Sequence, residues 1–144
     1  LGNSEVGLGE LHYSLAINAC AFSNVDKHGE IYAFEIATQL FDELVNSPDL
    51  KPTSRTYAWF IQCCGRLRVP DQLRYARTKN AFDRCCEDGL VDDFVMGRLI
   101  GAASDDLLLK LLAPAGYNGQ RRNGRMNVSK LPDSWTSRTR KKKG

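Results

Sequence analysis

With 144 residues, 42% of them apolar, and a formal net charge of +3, the chain has the size and composition of one ordinary globular domain. Its longest strongly apolar stretch, Leu107 to Ala113, is interrupted by Lys110 and falls far short of the roughly 20 residues a bilayer helix needs, so no membrane partner is expected. The charge is unevenly spread: residues 1–118 carry a net −5 and residues 119–144 a net +8, a composition suited to nucleic acid or an acidic partner.

Residues 1–9, with Gly2, Gly7 and Gly9, read as a loop or the end of a preceding unit, and nothing in them resembles a signal or transit sequence. A first helix is expected over about Leu11 to Phe22, a polar break over Ser23 to Gly29, and a second amphipathic helix over about Glu30 to Val45, ended by Pro48 and Pro52. A second pair starts near Ser54 and resumes after Leu67 to Pro70 with a helix from Asp71 to about Asp88, stopped at Gly89. A third starts near Asp93. It turns at Ser104, a plausible N-cap followed by Asp105 and Asp106, and stops at Pro114-Ala115-Gly116. From Tyr117 onward, the Gly-, Asn- and Arg-rich sequence is expected to be a disordered basic tail.

The three pairs share a pattern. Tyr57, Phe60, Ile61 and Cys64 fall at i, i+3, i+4 and i+7, one face of a helix, and Tyr13, Ala16, Ile17 and Cys20 repeat it 44 residues earlier. Met96, Leu99, Ile100 and Ala103 repeat it 39 residues later. Helix hairpins of this kind bury their apolar faces by stacking on their neighbours. The expected fold is therefore all-α, an α-solenoid of antiparallel helix hairpins, with units at 10–53 and 54–92 and a partial or capping unit at 93–116. The five cysteines, Cys20, Cys63, Cys64, Cys85 and Cys86, are odd in number and lie within helical patterns without C-x-x-C spacing. They are expected to be packed thiols of a reducing, intracellular compartment rather than a disulfide framework or a zinc site.

The runs His12-Tyr13-Ser14-Leu15-Ala16-Ile17-Asn18-Ala19-Cys20, Asp49-Leu50-Lys51-Pro52-Thr53 and Thr56-Tyr57-Ala58-Trp59-Phe60-Ile61 resemble pentatricopeptide repeats, helix hairpins of the tetratricopeptide-like plan. Ala37 to Leu44 and Glu87 to Asp92 resemble the second half of that motif. The family's repeats are nearer 35 residues, so both complete units carry insertions at the break between their helices. The resemblance implies single-stranded RNA binding along a face lined by the first helices, in organellar RNA processing, stability or translation, hence a mitochondrion or plastid. It implies base contacts from Ser14 with Thr53, from Ala58 with Asp92, and from Gly97, and Asn18 on the first helix adds a polar group of the same kind. Ala58 and Gly97 have no side-chain hydrogen-bonding group, so they cannot read a base edge directly.

Arg121, Arg122, Arg125, Arg138, Arg140, Lys141, Lys142 and Lys143 offer phosphate contacts from the tail. Arg55, Arg66, Arg68, Arg74, Arg77, Lys79 and Arg84 concentrate in the second unit, either as a solvated face or as a phosphate-tracking surface. Catalysis finds little footing. His12 and His28 lack a nucleophile or metal-ligand partner at useful spacing, and neither a metal nor a cofactor is expected. The expectation is a monomeric part of a longer array that binds RNA. The rival is a helical-repeat scaffold for a protein partner.

Overall fold

The computed structural model describes residues 9–23, 26–119 and 128–139. Among them the regular structure is all helical: α1 (Glu10–Ala21), α2 (Lys27–Val45), α3 (Ser54–Arg66), α4 (Asp71–Glu87), α5 (Asp93–Ala102), α6 (Asp105–Leu112) and α7 (Asp133–Thr136). No helix among the described residues is long and apolar enough to cross a membrane.

Local chemistry sets the helix ends. The Asp26 carboxylate accepts from Gly29 N at 2.8 Å, so α2 starts three residues earlier than its apolar stripe suggests. Asp92 does the same for α5, accepting from Val95 N at 2.9 Å, and Ser104 for α6, accepting from Leu107 N at 3.2 Å. Gly89 stops α4 in the left-handed region at φ +70°, a conformation open to glycine and costly to other residues.

The first helices of the three pairs form a row in which α3 lies between α1 and α5. The second helices α2 and α4 pack against one face of this row. Tyr57, Phe60, Ile61 and Cys64 are all buried there, with Phe60 stacked on Phe41 of α2 at 4.3 Å between ring centroids. Tyr57 donates its hydroxyl to Asp88 at the end of α4, and burial followed by this bond raises the phenol above its ordinary range. The matching positions of α1 are looser. Ile17 is buried, Tyr13 and Cys20 are half-buried and Ala16 is exposed, because α1 has a neighbour in the row on one side only.

Cys63, Cys64 and Cys85 are buried and all five thiols are free. Burial pushes Cys64 up to about 12, which leaves it a packing group rather than a thiolate nucleophile.

The expected disordered tail needs correction over 128–139. Residues Val128–Lys130 form a 3-10 turn that leads through buried Leu131 into α7. Trp135 meets Phe82 of α4 edge-on at 5.6 Å. Trp135 O accepts from Val91 N at 2.9 Å, and Arg138 N donates to Gly89 O at 2.8 Å. A Cβ on Gly89 would stand 2.5 Å from Ser137 Oγ, so the glycine that ends α4 also makes room for this segment. Leu131 in the core, with Val128 and Trp135 packed against it, docks a segment otherwise rich in polar residues.

Candidate nucleic-acid interface

The face of the row opposite α2 and α4 carries the polar positions of the first helices. Between α3 and α5 it forms an open groove of about 370 Å³ lined by Gln62, Gly65, Arg66, Gly97, Arg98 and Gly101, with Ala102 at its base. The groove exists because the two helices come close at Gly65, where a Cβ would lie 3.0 Å from Ala102 Cβ and 3.1 Å from Ala102 Cα. Three glycines leave backbone rather than side chains on its walls.

Two arginines frame it. Arg66 lays its guanidinium over the Phe22 ring at 4.4 Å, and its Nε donates to Ala21 O at 3.1 Å, capping the end of α1. Arg98 lies over Phe94 at 4.6 Å, with its buried Nε unpartnered. Phe22 keeps 55% of its surface exposed. Next to Arg66 along α3, the Gln62 amide donates to Asn18 Oδ1 at 2.7 Å, continuing the polar line onto α1. Amides, guanidinium planes and partly open aromatic rings are groups that recognise unstacked bases and phosphates.

The residues expected from sequence to contact bases fare differently. Ser14 and Thr53 are brought together, but around Glu10: each donates to its carboxylate at 2.7 Å, and Ser14 Oγ also lies 2.7 Å from Thr56 Oγ1. Ser14 and Ala58 are both 0% exposed, buried in the row, so neither presents a side chain to a ligand in this conformation. Asp92 uses its carboxylate as the N-cap of α5. Gly97 is exposed and lines the groove, and Asn18 is half-buried and bonded to Gln62 of the groove wall.

Burial works against the charge of Glu10, but hydrogen bonds from Arg55, Ser14 and Thr53 outweigh it and hold the carboxyl down at about 2. This carboxylate ties α1 to the start of α3.

Most of the basic cluster in the second unit is engaged within the fold. Arg55 pairs with Glu10 at 2.6 Å, Arg68 with Glu30 at 3.1 Å and Lys79 with Asp83 at 2.8 Å, while Arg74 and Arg84 donate to the Cys64 and Val45 carbonyls. That favours a structural role for these residues over a continuous phosphate track. In the tail, Arg138 is exposed beside the turn at Gly89, whereas Arg121, Arg122, Arg125, Arg140, Lys141, Lys142 and Lys143 lie outside the described residues.

Sequence reasoning missed the two arginine–aromatic pairs, although both leave a signal. Phe94 and Arg98 stand at i and i+4 on α5, and Phe22 and Arg66 are 44 residues apart, equivalent positions of successive units. The chain matches no protein-family model, no curated protein and no solved structure.

Proposed function

We propose that the chain is a segment of an α-solenoid that binds single-stranded RNA along the row of first helices, in RNA processing, stability or translation within an organelle. The observation that carries this reading is the pair of arginines, Arg66 stacked on Phe22 and Arg98 stacked on Phe94, that line one glycine-walled groove with Gln62, whose amide holds Asn18. Stacked arginines supply phosphate charge and a flat surface for a base, and the amides supply hydrogen bonds to base edges. The base contacts move from the buried Ser14 and Ala58 to Asn18, Gln62, Arg66 and Arg98. Binding is expected to be weak per unit, since a stacked base contributes about 1–3 kcal/mol.

The test is anisotropy of labelled mixed-sequence RNA at two salt concentrations with three full-length proteins: the native chain, Arg66→Gln with Arg98→Gln, and a chain whose tail charges Arg121, Arg122, Arg125, Arg140 and Lys141 to Lys143 are replaced by serine. Replacement is preferable to truncation because residues 128–139 pack on the helices through buried Leu131 and through Trp135 on Phe82. Groove binding predicts that the double variant, measured at a temperature where its helical spectrum matches that of the native chain, loses about fivefold or more in affinity, one stacked base at 1–3 kcal/mol. Loss confined to the tail variant, or no binding by folded native chain, overturns it. The second outcome favours the protein-scaffold reading, which the exposed Leu11 and Leu15 of α1 and Phe22 just after it support.

A further inference from the structure

Three cationic side chains from three separate elements converge near the Ser54 end of α3. Lys51 stands on the link between α2 and α3, Arg84 on the last turn of α4 and Arg138 just after α7, and all three line one pocket of about 280 Å³. The pocket shares no residue with the groove, which is built on the Gly65 end of α3.

Its charges are not balanced from within. The one carboxylate in its wall, Asp88, accepts the Tyr57 hydroxyl. Elsewhere Arg55, Arg68, Arg74 and Lys79 each have a carboxylate within 3.3 Å, whereas among the described residues neither Lys51 nor Arg138 forms an ion pair. Arg84 donates Nη2 to Val45 O at 3.2 Å, which fixes the guanidinium and occupies part of its donor fork. On the linker, Ser47 Oγ accepts from Asp49 N at 3.1 Å and Leu50 N at 3.0 Å, so the turn that carries Lys51 has a set shape and the Ser47 O–H remains a donor. Val45, Leu50 and Leu90 add apolar wall, where a charge interaction is stronger than in water.

Charge and volume together select a ligand. Three cations less one carboxylate leave the pocket two positive charges. A phosphomonoester carries about −1.5 to −2 at neutral pH, which matches, whereas a carboxylate or a phosphodiester falls short. Clefts that enclose whole small molecules start near roughly 300 Å³, so the space suits the phosphate itself and not the body that bears it. We propose that this pocket is a phosphomonoester site, with Lys51, Arg84 and Arg138 around the phosphate and the Ser47 hydroxyl donating to it. The phosphate arrives either on a small phosphate compound or on the 5′ end of an RNA strand.

The test is calorimetric titration of the full chain with inorganic phosphate at constant ionic strength. Lys51→Gln with Arg138→Gln removes two of the charges, and Lys110→Gln with Lys130→Gln removes as many from exposed positions elsewhere. Lys51 and Arg138 are exposed, and the bond from Arg138 to Gly89 O is made by the backbone, so the first variant should keep the native helical spectrum. The native chain should bind phosphate saturably, the control pair should match it, and the first variant should lose about tenfold or more, as for one charge-assisted bond. RNA oligonucleotides of one sequence with and without a 5′-phosphate then assign the source. An advantage of the phosphorylated strand that the first variant lacks places an RNA end in the pocket, and equal affinity leaves it to a small phosphate compound. No saturable binding by the native chain overturns the proposal. So does full binding by the first variant, or an equal loss in both variants, which reports net charge alone. Because the probe is inorganic phosphate, this outcome is independent of whether the groove binds RNA.

Discussion

Between α1 and α3 the row is joined by charge: Glu10 accepts from Ser14, Thr53 and Arg55, and Arg66 caps the end of α1. Between α3 and α5 it is joined by proximity, with Ala102 so close to Gly65 that an added Cβ would lie 3.0 Å from it, and Trp59 edge-on to Phe94 at 6.3 Å. Both joints use equivalent faces of successive helices, so the repeated pattern specifies where helices meet and leaves open what holds them. A joint of packed small residues should be insensitive to pH and intolerant of added volume. A joint built on one carboxylate should behave in the opposite way.

The largest effect is expected from Gly65→Leu. Overpacking a tight contact costs about 1–3 kcal/mol, and here the obstacle includes the Ala102 backbone, which places the cost at the upper end. The denaturant midpoint should fall accordingly, and Ala102→Gly should recover part of the loss. An unchanged midpoint would mean that the helices separate without penalty at this joint.

Glu10→Gln comes next, at about 1.5–3 kcal/mol for hydrogen bonds to a charged group. Its signature is pH dependence. The folded carboxyl, at about 2, lies below its ordinary value of 4.5, so its contribution is complete above the unfolded value and is lost as pH falls from about 4.5 through 2. Native chain and Glu10→Gln should therefore converge in stability on acidification, and Gly65→Leu should keep its deficit throughout. Parallel curves for Glu10→Gln and the native chain would remove the carboxylate from the joint.

How much of this was legible before the structure depends on the scale. The helices were: spacing located Tyr57, Phe60, Ile61 and Cys64 on one buried face, and Ser104 and Gly89 at helix ends. Neighbours were not. Periodicity assigns a residue to a face of its own helix and says nothing of what stands opposite, and the resemblance that implied base contacts from Ser14 and Ala58 does not supply it: both lie inside the row. The docked segment at 128–139 was missed for a related reason. Its packed apolar residues are only Val128, Leu131 and Trp135, too few to register as a helix in isolation, and its docking depends on backbone groups at Gly89 and Val91 that no pattern announces.

The smallest expected effect separates the buried and exposed versions of one position. Ala58 is enclosed in α3, while Gly97, its equivalent in α5, faces open space at a helical residue with no positive φ. Glycine inside a helix costs roughly 0.5–1 kcal/mol relative to alanine, through the backbone freedom it gives up on folding. Gly97→Ala should therefore stabilise the chain by up to about that amount, and Ala58→Gly should destabilise it by more, because it adds a small void to the same propensity loss. A loss of stability in Gly97→Ala, read from the denaturant midpoint, would mean that the space beside Gly97 is already filled.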